Sequence, residues 1–164
     1  MKLVVGLGNP GKEHENSRHN TGFILLDKFI KEKKLTWEKS LNFNCEMAED
    51  GSFIYAKPHT FMNNSGDAVS KLLNFYKIAY EDLIVVHDDV DLPLGIVRKQ
   101  KGKNAAGHHG VEDIIEKIGS KEFWRFRVGI GKPENKKVPV DKWVLQDFNQ
   151  HELKEISDIS IELD

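Results

Sequence analysis

The chain has 164 residues, of which 39% are hydrophobic and 30% charged, and its formal net charge is −2. This length fits one domain, and the apolar fraction is too high for a disordered chain. No apolar run approaches the roughly 18 residues of a membrane span, and none after Met1 is long enough for a signal peptide. The single cysteine, Cys45, cannot form an internal disulfide, which fits a reducing cytosol. We therefore expect a cytoplasmic protein and exclude the secreted, fibrous and membrane classes.

Positive charge is concentrated in one part of the chain. Residues 95–142 carry 12 Lys and Arg against 6 Asp and Glu, whereas residues 143–164 carry 1 against 6. A basic segment attracts polyanions, because its positive potential steers phosphates and binding releases their counterions. A solvated face with scattered lysines has the same composition, so charge alone leaves both interpretations open.

Hydrophobic periodicity predicts strands that alternate with helices. In chain order, the predicted elements are a strand over 2–7, a helix over 23–33, strands over 42–47 and 53–57, a helix over 68–76, strands over 83–86 and 95–100, a helix over 111–118 and a strand over 126–130. This order indicates an α/β fold, a single three-layer globule with a central twisted mixed β-sheet flanked by helices. Sites in such folds lie at the carboxyl ends of the strands.

The first predicted strand ends in the sequence G-L-G-N-P-G, which formally matches a dinucleotide-binding motif. That motif requires a helix whose first N–H groups face a pyrophosphate. Here Pro10 removes one N–H and disfavours a helical conformation for Asn9, and residues 12–20 have no apolar face. We therefore expect a rigid turn that presents Asn9 and, further on, His19.

The sequence R-H-N-T-G, residues 18–22, stands immediately before an apolar helix. In one interpretation Asn20 or Thr21 caps that helix and His19 is a surface residue. In the other, His19 activates water as a general base, which requires a carboxylate to orient its imidazole. The sequence leaves both open.

The sequence T-F-M-N-N-S-G, residues 60–66, places two adjacent amides before the next helix. Asn63 and Asn64 either cap that helix or offer side-chain N–H donors to an oxyanion or a peptide backbone. Met62 beside them suggests an apolar wall next to the donors.

Three carboxylates within four residues follow a middle strand in H-D-D-V-D, residues 87–91. They either bind a divalent cation or include one carboxylate that anchors a histidine. A calcium-loop spacing is absent, whereas a zinc site formed with His108 and His109 stays open.

A glycine-containing basic loop, residues 101–110, runs into the helix that begins near Val111. Lysines before a helix N-terminus suit a phosphate or a developing negative charge. A surface loop with a glycine hinge is the alternative.

Taken together and in this order, these segments resemble the bacterial-type peptidyl-tRNA hydrolase family. The resemblance rests on the motifs V-G-L-G-N-P-G, R-H-N-T-G, T-F-M-N-N-S-G, H-D-D-V-D-L-P-L-G, A-G-H-H-G-V-E-D-I and F-R-V-G-I-G-K-P. It covers essentially the whole chain and implies a single domain over residues 1–164. It also implies metal-independent hydrolysis of the ester between a peptide and tRNA by a monomer that uses no cofactor and binds peptidyl-tRNA as its partner.

The resemblance also assigns roles to residues. By motif, His19 is similar to the general base, Asp88 to the carboxylate that orients it, and Asn63 to the amide that positions water or stabilises the oxyanion. The implied substrate-binding residues are Asn9, His14, Phe61, Met62, His108 and His109. The candidates for contacts to tRNA phosphates are Arg98, Lys99, Lys101, Lys103, Arg127 and Lys136.

Three features depart from the family pattern. His109 replaces the asparagine usual in G-G-H-N-G, and an imidazole offers fewer hydrogen bonds than an amide. His14 stands where a tyrosine is common, and the chain stops early enough to predict a shortened C-terminal helix. We therefore expect the family's hydrolytic chemistry to be retained and the binding of the substrate to be altered.

Two alternatives to the hydrolase remain open from the sequence. One is a non-catalytic RNA-binding paralogue of the same fold, which the altered His109 favours. The other is a metal-dependent hydrolase built on His87, Asp88, Asp91 and His108.

Overall fold

The computed structural model describes residues 1–163, which contain one seven-stranded sheet. Its strands are β1 (Lys2–Gly6), β2 (Glu38–Ser40), β3 (Cys45–Glu49), β4 (Phe53–Pro58), β5 (Leu83–Asp89), β6 (Val97–Lys101) and β7 (Trp124–Gly129). Across the sheet they lie in the order β2-β3-β4-β1-β5-β7-β6. The central strands β4, β1, β5 and β7 run parallel, whereas β2, β3 and β6 pair antiparallel at the two sides. The predicted mixed sheet is confirmed.

Helices cover both faces of the sheet. They are α1 (Thr21–Glu32), α2 (Ser65–Tyr76), α3 (His109–Ile118), α4 (Val140–Trp143) and α5 (Gln150–Ser157). Short 3₁₀ turns at Lys12–His14, Arg18–Asn20 and Met62–Asn64 lie in three of the motifs. Among residues 1–163, no helix combines the length and the apolar character that crossing a bilayer requires.

The sheet separates two hydrophobic cores, which confirms the predicted three-layer α/β fold. Alternate residues of a strand point to opposite faces, so Val85 of β5 packs with α2 and α3 while Val86 packs with α1 and α5. Strands buried on both faces read as continuous aliphatic runs, which is why β1 and β5 were predictable from the sequence.

Several predicted boundaries differ from the structure. The strand predicted over 42–47 is β3, Cys45–Glu49, because Asn44 adopts a left-handed backbone with φ +49° and residues 41–44 form a turn. Helices α1 and α2 begin two and three residues before their first predicted apolar position. β2 and α4 escaped prediction because they are short and mostly polar, so that neither a period of 2 nor of 3.6 is visible in them. A C-terminal helix, here α5, was expected only from the family resemblance and not from periodicity.

Strand pairing carries β5 beyond its aliphatic run into the polar motif that follows. Asp88 lies opposite Val128 of β7, and Asp89 lies opposite Gly129. The carboxylate of Asp88 is therefore mounted on a strand inside the ladder rather than on a loop, which restricts its movement.

Candidate active site

His19 and Asp88 meet although 69 positions separate them in the chain. Nδ1 of His19 lies 2.9 Å from Oδ2 and 3.1 Å from Oδ1 of Asp88. A close approach of α1 to the sheet makes this contact possible. A Cβ atom added to Gly22 would lie 2.3 Å from the carbonyl oxygen of Val86 and 2.4 Å from the amide nitrogen of Leu7. Only glycine therefore lets the turn that carries His19 reach the ends of β1 and β5.

His19 and Asp88 are buried, and each stabilises the charged form of the other. Burial alone lowers the pKa of His19, but the charge of Asp88 and its hydrogen bond outweigh burial and raise it above its ordinary value. Burial opposes ionisation of Asp88, yet the two imidazoles beside it hold the pKa of that carboxyl well below its usual range. Asp88 is therefore an ionised acceptor at neutral pH.

His108 provides a second donor to Asp88, which the sequence did not indicate. Its Nε2 lies 2.9 Å from Oδ1 of Asp88, and its Nδ1 accepts the backbone N–H of Val111 at 3.2 Å, capping α3. A backbone amide can only donate, so Nδ1 carries no proton and Nε2–H donates to Asp88. By the same reasoning the ionised carboxylate requires Nδ1–H on His19, which leaves Nε2 of His19 as its basic nitrogen.

His87 is buried next to this cluster in a neutral form. Burial, followed by the nearby His108 and Arg125, holds the pKa of His87 well below its ordinary value. Its Nδ1 donates to the backbone oxygen of Asp88 at 2.7 Å. His87 thus supports the backbone of Asp88, and its ring centre lies 4.8 Å from that of His108. Within residues 1–163, the side chains close enough to share an ion are those of His19, Asp88 and His108, and the group includes neither His87 nor Asp91.

Asn20 holds the loop of Asn9 and does not cap α1. Its Oδ1 accepts the backbone N–H of Asn9 at 2.8 Å, and its Nδ2 donates to the backbone oxygen of Asn9 at 2.9 Å. Oδ1 of Asn9 in turn accepts the backbone N–H of Met62 at 2.7 Å. The side-chain nitrogen of Asn9 is therefore the donor left for a substrate, and the capping interpretation of Asn20 is wrong.

The cleft around His19 has two compartments. One, of about 500 Å³, is lined by the predicted catalytic amide Asn63 and by the predicted substrate-binding residues Asn9, His14, Phe61, Met62 and His109. The other, of about 460 Å³, is lined by residues 87–91 and 105–109 together with Lys132 and Val140. His19, His109, Asp141 and Val144 border both compartments. Asp141 and Val144 were not predicted as site residues, because the sequence did not predict α4, the helix that contains Asp141 and ends just before Val144.

Phe61 stands at a strained position of the first compartment. Its backbone has φ +63° and ψ 156°, a conformation that L-residues rarely adopt, and its side chain is 54% exposed. Strain of this kind costs about 1–3 kcal/mol and is concentrated at functional sites. The turn thus holds an aromatic ring at the border of the cleft.

The predicted phosphate-binding residues do not form one surface. Along β6, Arg98 is exposed on one face, while Lys99 and Lys101 are exposed on the other. Nζ of Lys99 lies 5.0 Å from the centre of the Trp124 ring. Lys103 is half-buried and Lys136 is exposed in the loops that follow.

Arg127 does not fit the role predicted for it. The residue is 7% exposed, and its Nε donates to Oδ2 of Asp89 at 2.7 Å. Nη1 of Arg127 donates to Oε1 of Gln100 at 2.6 Å. With its guanidinium buried and paired inside the sheet, Arg127 is not placed to meet a phosphate, and we remove it from the set.

Known proteins similar to this chain match nearly all of it. The profile of the family described as peptidyl-tRNA hydrolase matches residues 3–163. A peptidyl-tRNA hydrolase of Aquifex aeolicus (strain VF5) is 49% identical over 162 residues, 97% of this chain and 84% of the relative. One of Aliarcobacter butzleri (strain RM4018) is 43% identical over 97% of this chain and 86% of the relative. The crystal structure of peptidyl-tRNA hydrolase from Acinetobacter baumannii matches with a TM-score of 0.88 and 32% identity, over 95% of this chain and 81% of that one.

Proposed function

Since this chain belongs to the peptidyl-tRNA hydrolase family and hydrolyses the ester bond of peptidyl-tRNA, we propose that His19 is the general base and that Asp88 orients it. The contact of 2.9 Å between Nδ1 of His19 and Asp88 carries this proposal. It fixes the tautomer in which Nε2 is free to accept a proton from water. The comparisons favour the enzyme over the non-catalytic paralogue.

The proposed reaction proceeds in two proton transfers. Nε2 of His19 takes a proton from water as the water oxygen attacks the ester carbonyl carbon, and the imidazolium that forms is stabilised by Asp88. The tetrahedral intermediate then collapses, the bond to the 3′ oxygen of tRNA breaks, and His19 returns its proton to that oxygen. The peptide leaves as a carboxylic acid and the tRNA with a free hydroxyl group.

Amide donors in the first compartment support the developing negative charge. We assign Asn63 to the water or the oxyanion, since it lines the same compartment as His19. Asn9 offers its free side-chain nitrogen to the peptide backbone. Each such donor contributes about 10²–10³ in rate when it is aimed at the oxyanion.

The remaining substrate contacts are distributed around the two compartments. Met62 provides an apolar wall, and the exposed ring of Phe61 offers a stacking face for the terminal adenine. His14, His108 and His109 complete the proposed substrate-binding set. The proposed phosphate contacts are Arg98, Lys99, Lys101, Lys103 and Lys136.

We further propose that residues 1–164 act as one catalytic domain, as a monomer in the cytoplasm, without metal or cofactor. The single cysteine supports the reducing location, because the chain offers it no partner for an internal disulfide. Cys45 is also buried, and burial raises the pKa of its thiol to about 12. A thiol in that state is inert toward disulfide exchange.

The test is hydrolysis of N-acetyl-aminoacyl-tRNA with EDTA present, by the wild type and by His19→Ala. We expect wild-type turnover to survive EDTA, and the variant to lose about 10²–10⁴-fold in kcat while its affinity for tRNA stays nearly intact. His151→Ala, which removes an exposed histidine paired with Glu155, is the matched control and should retain full turnover.

Two results would contradict the proposal. Equal loss of turnover and tRNA affinity in His19→Ala would make His19 structural. Loss of wild-type turnover in EDTA would favour the metal-dependent alternative.

A further inference from the structure

The buried cluster of His19, Asp88 and His108 has the composition of a transition-metal site. One nitrogen from each imidazole and one carboxylate oxygen lie within 4.8 Å of one another. Both imidazole nitrogens already approach the same carboxylate, at 2.9 Å each. All three residues line the compartment of about 460 Å³, so an ion has a path to them from solvent.

The ligand chemistry favours zinc over magnesium. Two imidazoles and one carboxylate, with a fourth position open to water, form a set typical of Zn²⁺. Mg²⁺ prefers oxygen ligands in a regular octahedron and gives up its water reluctantly. A tetrahedral ion that bonds each ligand at about 2.0–2.2 Å holds neighbouring ligand atoms about 3.3–3.6 Å apart. The nitrogens and oxygens that now lie 2.9–3.1 Å apart would therefore separate by a few tenths of an ångström to admit it.

We propose that His19, Asp88 and His108 form an inhibitory Zn²⁺ site, in which the ion takes the place of the two hydrogen bonds that hold the catalytic base. This inference rests on the proposed role of His19. It adds that the residues which align the base for catalysis also make it sensitive to a borderline-soft divalent cation.

The inhibition follows from the position of the proton on His19. A neutral imidazole that binds zinc through Nδ1 carries its proton on Nε2, whereas the catalytic tautomer carries it on Nδ1. Zinc therefore moves the proton of the neutral ring to the nitrogen that must receive one from water. The positive ion next to the ring also disfavours the imidazolium that catalysis requires.

His108 undergoes the same exchange of tautomer. Binding zinc through Nε2 places its proton on Nδ1, which then cannot accept the N–H of Val111. Zinc thus removes the side-chain cap of α3. This change offers a spectroscopic readout that is independent of turnover, since the Val111 amide resonance reports the cap.

The experiment titrates zinc sulfate into the wild type in a buffer without chelator. We expect one zinc per chain by calorimetry on the free protein, loss of turnover with the same midpoint, recovery with EDTA, and no inhibition by magnesium. His108→Gln keeps a side-chain donor of similar reach but loses the imidazole ligand, so its zinc affinity should fall at least about 10-fold.

His59→Gln is the matched control. His59 also contacts a carboxylate, with Nε2 at 3.0 Å from Glu46, but it lies outside the cleft, so zinc affinity should not change. Asp88→Asn, followed by calorimetry alone, should weaken binding like His108→Gln and serves if that variant fails to fold.

Three results would overturn the inference. They are the absence of inhibition at millimolar zinc, inhibition that is equal in wild type and His108→Gln, and stimulation by zinc. Wild-type turnover in EDTA tests the proposed function separately, so a failure of this inference is distinguishable from a failure of that proposal.

Discussion

Asp88 accepts hydrogen bonds from two imidazoles, and this arrangement determines which nitrogen of each ring carries a proton. One imidazole is the proposed base, and the other caps α3 through its second nitrogen. A continuous line of hydrogen bonds therefore runs from the first turn of α3 through His108 and Asp88 to His19. The tautomer of the base is fixed by the protein before substrate arrives.

The effect of Asp88 on His19 predicts a pH dependence. Because the pKa of His19 is raised, its protonated and inactive form persists above the ordinary value of 6.5, and activity is lost as the pH falls through the raised pKa. In Asp88→Asn the acid limb of kcat/KM should move to lower pH, and kcat should fall by about 10²–10⁴-fold.

The measurement is a pH profile of kcat/KM for both proteins at constant ionic strength. Asp82→Asn, at a half-buried position just before β5, should reproduce the wild-type profile. An unchanged acid limb in Asp88→Asn would show that Asp88 does not act on His19.

His109 does not take part in this line of hydrogen bonds. Its Nδ1 lies 3.6 Å from Glu112 and its Nε2 lies 3.7 Å from Asp141, across the wall shared by the two compartments. Restoring the family's amide with His109→Asn should lower KM and raise kcat/KM about 2- to 10-fold, the value of one hydrogen bond. The measurement is steady-state kinetics on peptidyl-tRNA, with His151→Asn as the control variant. An unchanged kcat/KM in His109→Asn would contradict the prediction that His109 weakens substrate binding.

At the scale of elements, Arg18 connects the turn that carries His19 to the helices α4 and α5. Its guanidinium lies 3.5 Å from the centre of the Trp143 ring and 3.0 Å from Oε1 of Glu152. Next to it, the backbone N–H of His19 donates to the oxygen of Val144 at 2.7 Å. Val144 borders both compartments, so Arg18 helps to set the distance between the base and the wall of the cleft.

Removing the contacts of Arg18 with Arg18→Met should destabilise the protein by on the order of 3 kcal/mol. The partly buried charge of Glu152 then loses the cation that compensates it and keeps only its hydrogen bond from the backbone N–H of Asn149. We also expect kcat to fall more than KM rises, since the base moves relative to the wall. Urea unfolding and kinetics below the unfolding range measure both effects.

The double variant Arg18→Met with Glu152→Gln should recover part of the stability, because no uncompensated charge remains and the amide can still accept the N–H of Asn149 that caps α5. Lys28→Met is the control, since Lys28 also holds the C-terminal segment, by a 3.1 Å bond to the oxygen of Ile159, but lies away from His19. Equal kinetic losses in Lys28→Met would contradict a specific role for Arg18.

At the scale of the whole molecule, positive charge lies at one edge of the sheet. β6 forms this edge, and the basic loop after it leads into residues 105–109 of the second compartment. Lys39 lies on β2, the opposite edge. A tRNA whose 3′ end reaches His19 is thus expected to run along the β6 side.

This orientation predicts the salt dependence of tRNA binding. Lys101→Ala and Lys103→Ala should each weaken binding and reduce the slope of log K against log salt by about 0.7–0.9 for each phosphate that the variant no longer neutralises. Lys39→Ala should leave the slope unchanged. Filter binding of tRNA from low to moderate salt provides the measurement, and equal slopes for all three variants would place the tRNA elsewhere.

The sequence by itself determined the layers of the fold and the motifs of the site. Strands buried on both faces and helices with one apolar face leave periodic signals, so β1, β5, α1 and α3 were recognisable without coordinates. The short polar elements β2, α4 and α5 leave no such signal, because packing against the rest of the molecule specifies them. Asp141 and Val144 therefore entered the site only with the structure.

The tertiary structure alone decided which side chains meet. His19 and Asp88 are adjacent because parallel strands end at one edge of the sheet and because Gly22 admits α1 to within contact of β1 and β5. The same folding buried Arg127, added His108 to Asp88 and turned Asn20 toward Asn9. A motif states which groups are available, whereas burial and distance, which depend on residues far apart in the chain, determine what those groups can do.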